Sequence, residues 1–158
     1  MVSKWANATV IAVETRPEKF EACKKAGADI VLNGDMDNLA GALIDASNGG
    51  VDVAIDFVSS KHTLEDAIGS LERGGRLATL GGSGQPFSAD PRIMLEKELE
   101  LFGSRYATKQ EVVDSLELVA RRDLWPLVTD VRPMEKAEAL HSELENGNII
   151  GRAAIKLT

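Results

Sequence analysis

The sequence has few of the residues that build disulfides and metal sites. It contains one cysteine, Cys23, and two histidines, His62 and His141, in 158 residues. A single thiol excludes an internal disulfide and any zinc site made of several thiolates, and two distant histidines add little to such a site. We therefore expect that this chain holds no metal ion by itself.

The chain also lacks a basic surface and a long apolar run. Its 18 Lys and Arg residues against 25 Asp and Glu residues give a net charge of −7, with both signs mixed along the sequence. No basic stripe is present to bind a phosphate backbone, and no run approaches the roughly 20 apolar residues that span a bilayer. The first ten residues, MVSKWANATV, lack the apolar core of a signal peptide. We expect a cytoplasmic protein with neither nucleic acid nor membrane as a partner.

What the sequence does contain is an alternation of short apolar runs and helical segments. The predicted strands cover residues 8–13, 29–32, 51–57, 76–80 and 99–103. In the helices between them, Asp35 is the expected N-cap of the second, and Gly74 and Gly75 are expected to end the third. Such alternation is typical of right-handed βαβ units in a doubly wound parallel sheet, which is a Rossmann-like α/β fold.

After residue 107 the sequence no longer follows this regular alternation of strands and helices. A capping box at Thr108 and Glu111 opens one predicted helix. A second predicted helix covers residues 134–146, with Leu140 and Leu144 facing inward and Gly147 at its end. A turn at residues 125–126 separates the two helices, and a last strand is predicted over residues 152–157.

Glu14 is the most informative single position. An acidic residue directly after an early parallel strand lies at the carboxyl edge, where open α/β sheets bind ligands. Its carboxylate can accept hydrogen bonds from both ribose hydroxyls of NAD and would repel the 2′-phosphate of NADP. The alternative is an ordinary surface acid near a helix start. Arg16 either stacks on adenine or stays in water, and its positive charge weakens the argument against NADP.

A glycine-rich turn, Gly81-Gly82-Ser83-Gly84, follows the fourth predicted strand and allows a ligand to approach the backbone closely. It is not the dinucleotide fingerprint, which lies between the first strand and first helix, about 20 residues before the acidic residue. Only 13 residues precede Glu14. The predicted sheet is therefore incomplete and lacks the first strand and the glycine fingerprint of a Rossmann unit.

Three other residues have two interpretations each. Cys23 is either a small core residue or a nucleophile, and the core reading is favoured. Asp56, near the carboxyl end of a strand, either has a functional role at that edge of the sheet or caps the following turn. Arg152 either binds a pyrophosphate or closes an ion pair. His62 lies among charged residues and is expected to be solvated.

Six segments in a fixed order resemble the cofactor-binding half of zinc-type, medium-chain alcohol dehydrogenases. They are V-I-A-V-E-T-R-P-E-K, K-K-A-G-A-D, G-V-D-V-A-I-D-F-V, L-E-R-G-G-R-L-A-T-L-G, E-L-E-L-F-G-S and N-I-I-G-R-A. Each segment alone is weak, but their order and spacing over residues 8–157 make chance similarity improbable.

The resemblance implies a cofactor site for NAD. It implies that Glu14 binds the adenosine ribose and that Arg152 binds the pyrophosphate. It places the nicotinamide against Val58, Leu80, Gly81 and Gly82, and the carboxamide against the backbone of Gly103 and Ser104. Residues 1–107 would form a partial dinucleotide-binding domain, and residues 108–158 would complete a catalytic domain. Family members also form dimers, through the strand that Leu99 to Phe102 resembles.

The resemblance also implies what this chain does not supply. The family's zinc ligands and proton-relay residues have no counterpart here, and its central first strand, between those of Val10 and Val53, is missing. Each buried backbone group left unpaired costs about 1–3 kcal/mol. We therefore expect the cofactor-binding portion of an NAD-dependent, zinc-type alcohol dehydrogenase, inactive alone. The alternative is a non-catalytic remnant or interaction module that assembles with a partner supplying the N-terminal half.

Overall fold

A computed structural model describes residues 1–82, 84–121 and 123–157. The helices are α1 (Val2–Trp5), α2 (Phe20–Lys25), α3 (Leu39–Ser47), α4 (Lys61–Ser70), α5 (Pro91–Lys97), α6 (Lys109–Ala120) and α7 (Ala137–Glu145), with short 3-10 turns at Pro17–Lys19 and Met134–Lys136. The strands are β1 (Ile11–Glu14), β2 (Ile30–Asn33), β3 (Val51–Asp56), β4 (Leu71–Thr79), β5 (Glu100–Gly103), β6 (Val128–Pro133) and β7 (Arg152–Lys156). No helix in these described ranges has the length and apolar character needed to cross a membrane.

Parallel pairing confirms the predicted α/β class. Strands β3, β4 and β5 form one parallel sheet, in which Asp56 pairs with Thr79 and Thr79 with Gly103. The carboxyl ends of the three strands therefore lie in register at one edge. Strands β6 and β7 form a second parallel pair, and β1 pairs with β2.

The chain divides into two compact units, one of residues 32–107 and one of residues 1–31 with 108–158. The core of the first unit is built by α4 and β4, with Leu64, Ile68, Leu71 and Leu77 buried together. Ala54 and Leu101, the registered neighbours of Leu77, pack against this cluster from β3 and β5. One face of the three-stranded sheet thus carries the core.

Two predicted helix boundaries are wrong. Helix α3 is capped by Asn38, whose Oδ1 accepts a hydrogen bond from Gly41 N at 3.1 Å, so Asp35 is not the N-cap. Helix α4 ends at Ser70, before the two glycines, because the fully buried Leu71 is already extended and pairs with Val51.

Gly74 and Gly75 instead lie within β4, where the pairing register with β3 shifts. Gly74 has a φ of +74°, and a Cβ at Gly75 would lie 2.8 Å from the carbonyl oxygen of Glu72. Both positions therefore favour glycine, as is common where a strand carries an irregularity.

Further differences between prediction and structure concern the elements after residue 90. The sequence pattern does not predict helix α5, although Asp90 caps it and Pro91 occupies its first position. Strand β6 was missed as well. In α7, Leu140 is buried as predicted, whereas Leu144 is 54% exposed and does not face inward. The Thr108 capping box is confirmed at the start of α6.

Candidate functional site

The side chain of Asp56 organises the turn that follows β3. Its Oδ1 accepts hydrogen bonds from Val58 N at 2.8 Å and Ser59 N at 2.9 Å, and its Oδ2 accepts one from Thr63 Oγ1 at 2.7 Å. Asp56 is buried, and Ser59 is held at a φ of +56°. The turn-capping interpretation of Asp56 is thereby confirmed. In this turn Val58 is more than half exposed at the edge of the sheet.

The turn after β4 packs directly on the turn after β3. The carbonyl oxygen of Asp56 accepts hydrogen bonds from Leu80 N at 2.8 Å and Gly81 N at 3.3 Å. The hydroxyls of Ser59 and Thr79 are also hydrogen-bonded to each other. A Cβ at Gly81 would lie 2.3 Å from the carbonyl carbon of Val58, so only glycine allows this approach.

A third link reaches the end of β5. Ser104 N donates to the carbonyl oxygen of Thr79 at 3.0 Å. Gly82 and Gly103 face space that is free of described atoms, because within the part of the chain that the structure describes a Cβ at either position would meet nothing within 4 Å. The structure thus brings six of the residues singled out from the sequence to one edge of the sheet: Val58, Leu80, Gly81, Gly82, Gly103 and Ser104. Ser83, in the same glycine-rich turn, lies outside the described residues.

Glu14 ends β1 in the other unit and is half buried. Its Oε1 accepts a hydrogen bond from Arg16 N at 3.0 Å, and no described group is hydrogen-bonded to its Oε2. Burial raises the pKa of the Cys23 thiol, and the negative charge of Glu14 raises it further. A raised pKa keeps the thiol protonated and makes Cys23 a poor nucleophile.

The two basic residues of the predicted site, Arg16 and Arg152, lie in the same unit as Glu14. The Arg16 guanidinium is hydrogen-bonded to the backbone at the end of α7, through Gly147 O at 2.8 Å and Asn146 O at 3.0 Å. Arg152 begins β7 with an exposed side chain, and its backbone N donates to Leu127 O at 2.7 Å. The expected contacts of Arg16 with adenine and of Arg152 with a pyrophosphate stay predictions.

Sequence reasoning missed two parts of this arrangement. The hydroxyl of Thr63 had a usable signal, because Ser60 is a preferred N-cap residue and Thr63 then lies in the first turn of α4, close to Asp56. The pairing of Arg16 with Gly147 had no such signal, because 131 residues separate them.

A zinc ion, which the family resemblance implies, does not fit the side chains present. Across the described ranges, no three His, Cys, Asp or Glu side chains are placed to hold a metal ion. A zinc site needs at least three such ligands. We therefore assign the zinc to no described residue of this chain.

Comparison with known proteins agrees with this fold. The profile of the family described as "Zinc-binding dehydrogenase" matches residues 1–121. The chain is 30% identical over 151 residues to the NAD-dependent alcohol dehydrogenase of Saccharolobus solfataricus, covering 95% of this chain and 44% of that protein. It is 30% identical over 148 residues to an alcohol dehydrogenase of Geobacillus stearothermophilus, covering 94% of this chain and 43% of that one.

A solved structure of an alcohol dehydrogenase has a similar fold over the matched region. The crystal structure of an NAD-dependent alcohol dehydrogenase superposes with a TM-score of 0.88 at 26% identity, covering 99% of this chain and 46% of that one. The chain thus spans less than half the length of these relatives. With the profile matching well over half of the chain, this protein belongs to the zinc-binding dehydrogenase family.

Proposed function

We propose that this chain supplies the NAD-binding part of an alcohol dehydrogenase and has no turnover by itself. The observation that carries the proposal is that hydrogen bonds and close packing connect the ends of three strands. Asp56 and Gly81 connect the turns after β3 and β4, and Ser104 connects the end of β5 to the end of β4. Open α/β sheets bind ligands at this edge. When bound, NAD would accept the hydride from an alcohol or, in reduced form, return it to a carbonyl compound.

The chain's own residues would bind and orient the nicotinamide end. The exposed side chain of Val58 and the turn of Leu80, Gly81 and Gly82 offer an apolar wall beside bare backbone. The backbone of Gly103 and Ser104 would hydrogen-bond the carboxamide. Because the turns are hydrogen-bonded to one another, they would be ordered before the cofactor arrives, which lowers the entropic cost of binding.

Glu14 would bind the adenosine ribose, and Arg152 the pyrophosphate. The half-buried carboxylate of Glu14 keeps one oxygen for ribose hydroxyls, since its described hydrogen bond from Arg16 N uses only Oε1. A 2′-phosphate at the same place would bring like charges together in a partly desolvated setting. We therefore propose NAD rather than NADP as the cofactor.

The test is calorimetric titration of the chain with NADH and NADPH. We expect NADH to bind more tightly, and Glu14→Ala to reduce the preference by about fivefold, which is the size of one partly exposed charge contact. Glu18→Ala, an exposed acid in the adjoining turn, is the matched control and should leave the preference unchanged. Absence of binding for both nucleotides would contradict the proposal, and an unchanged preference in Glu14→Ala would show that Glu14 is a surface acid.

We also propose that two copies associate through residues 99–102, which lie in β5 from Glu100 onward. Strand β5 lies at the edge of its three-stranded sheet. An edge strand presents unpaired N–H and C=O groups that a second copy can complete. Phe102, about half exposed on this strand, would add apolar contact.

A further inference from the structure

The Arg16 guanidinium bridges two carbonyl groups at the end of α7. Nη1 donates to Gly147 O at 2.8 Å and Nη2 to Asn146 O at 3.0 Å. Asn146 is the C-cap of α7 and Gly147 follows it, so both carbonyl groups lie beside the negative end of the helix dipole, where a cation is favoured. Because two nitrogens bind two acceptors, the plane of the guanidinium is fixed as well as its position.

Gly147 provides the space that this contact needs. It has a φ of +70°, and a Cβ at this position would lie 2.6 Å from Arg16 Nη2 and 2.7 Å from Nη1 and Cζ. These distances are far below van der Waals contact. Any side chain at residue 147 would therefore force the guanidinium out of its present position beside the two carbonyl groups.

The same arginine is joined to the carboxylate that we propose binds the ribose. Its backbone N donates to Glu14 Oε1 at 3.0 Å, so its side chain starts two residues from that carboxylate. A guanidinium released from α7 would be able to reach either Glu14 or a phosphate beside it. Pairing with Glu14 would neutralise the carboxylate, and pairing with a 2′-phosphate would attract NADP directly. Both would reduce the preference for NAD.

We infer that the end of α7 determines cofactor specificity by holding Arg16 away from the adenosine ribose, with Gly147 as the specificity-determining residue. This inference rests on the proposed function, because it requires a nucleotide at Glu14. In this arrangement the guanidinium of Arg16 is bound at the end of α7. It therefore does not neutralise the carboxylate of Glu14, although Arg16 is only two residues away in sequence.

The experiment is a double-mutant cycle on the complete chain, with the dissociation constants of NADH and NADPH measured by calorimetric titration. Gly147→Asn is the key variant, because asparagine tolerates a positive φ while its side chain displaces the guanidinium. We expect the ratio of the two constants to move toward NADPH by roughly fivefold, the effect of one partly exposed charge pair. Arg16→Ala alone should leave the ratio within about twofold of wild type, and adding it to Gly147→Asn should abolish the shift.

Gly74→Asn is the matched control. Gly74 has a φ of +74°, and a Cβ there would meet no atom of the described residues within 4 Å, so this variant has similar backbone strain without touching Arg16. Its ratio should equal that of wild type. If circular dichroism shows that Gly147→Asn does not fold, Arg16→Lys replaces it, because one ammonium group cannot hold both carbonyls in the same fixed plane. Arg16→Lys should then favour NADPH relative to Arg16→Ala.

The outcomes separate this inference from the proposed function. If wild type binds neither NADH nor NADPH, the proposed function fails and the inference fails with it. If wild type prefers NADH but Gly147→Asn shows the same ratio with and without Arg16, the inference alone is overturned. In the Arg16→Lys arm, a ratio equal to that of Arg16→Ala would overturn it in the same way.

Discussion

Gly81 and Gly82 are neighbours in sequence but have different surroundings. A Cβ at Gly81 would lie 2.3 Å from the carbonyl carbon of Val58, whereas a Cβ at Gly82 would meet none of the described atoms within 4 Å. The close neighbours of Gly81 are backbone atoms, which cannot turn aside as a flexible side chain can. Gly81 is thus required by packing, and Gly82 leaves backbone open toward the edge of the sheet.

Gly81→Ala should therefore destabilise the protein, and Gly82→Ala should not. Forcing the turns after β3 and β4 apart is expected to cost about 1–3 kcal/mol in the free energy of unfolding, the usual range for overpacking. Gly82→Ala is the matched control and should stay within about 0.5 kcal/mol of wild type. Urea denaturation of both variants measures the difference, and equal midpoints would contradict the close contact of Gly81 with Val58.

The three hydrogen bonds to Asp56 predict a graded response to substitution. Asp56→Ala leaves two backbone N–H groups and the Thr63 hydroxyl without their acceptor, at an expected cost of about 1–3 kcal/mol in the free energy of unfolding. Asp56→Asn keeps an oxygen for the two N–H groups, and the Thr63 hydroxyl can rotate to accept from the new amide, so it should cost less than half as much.

Asp52→Ala provides the control for this series in urea denaturation. Asp52 is an exposed acid on the same strand; a hydrogen bond with its side chain raises the pKa of Glu72, and its negative charge raises that pKa further. Removing it should leave the free energy of unfolding within about 0.5 kcal/mol of wild type. A loss in Asp52→Ala as large as that in Asp56→Ala would show that β3, rather than the capped turn, is sensitive to substitution.

At the scale of single elements, α6 begins with a reciprocal cap. Thr108 Oγ1 accepts a hydrogen bond from Glu111 N at 3.3 Å, and Thr108 N donates to Glu111 Oε2 at 2.6 Å. This backbone hydrogen bond is the main cause that lowers the pKa of Glu111, with a smaller contribution from the Thr108 side chain. The negative charge of Glu111 therefore favours the folded helix.

The lowered pKa gives α6 a contribution to stability that depends on pH. It is fully present above the ordinary pKa of glutamate and is lost as the pH falls through the lowered value. We expect wild type to exceed Glu111→Gln in unfolding free energy at neutral pH, with the gap closing in acid. Urea denaturation at several pH values tests this.

Glu117→Gln is the control, because that carboxylate lies toward the negative end of the α6 dipole and its loss should not lower stability. A gap between wild type and Glu111→Gln that is constant from neutral pH to strong acid would contradict the role of the Glu111 charge.

At the scale of the whole molecule, an edge strand and exposed apolar side chains predict self-association. On one face of the three-stranded sheet, Val53, Ile55 and Phe102 are each 45–49% exposed. If copies pair through β5, Phe102→Lys should shift the sedimentation coefficient from dimer toward monomer, since lysine protects edge strands from pairing. Leu95→Lys, on the neighbouring helix α5 and 79% exposed, should leave the dimer intact. Monomeric wild type at every concentration would contradict the pairing.

Local pattern was sufficient for most of the fold around the site. The apolar run before Glu14, the capping box at Thr108 and the run from Val51 each act within a few residues, so their prediction needed no tertiary information. The errors at Asp35 and at Gly74 have one cause. A cap residue or a glycine pair is compatible with several boundaries, and at the glycine pair the burial of Leu71 against its neighbours decided between them.

The sequence by itself determined the α/β class, the order of the main strands and the residues at their carboxyl ends, because short-range periodicity and turn chemistry carry that information. Only the tertiary structure decided which of those residues touch. The contact of Gly81 with the Val58 backbone depends on the register of β3 and β4, and that of Arg16 with Gly147 joins residues 131 positions apart. Contacts at such separations arise from packing of distant elements, which no local propensity specifies.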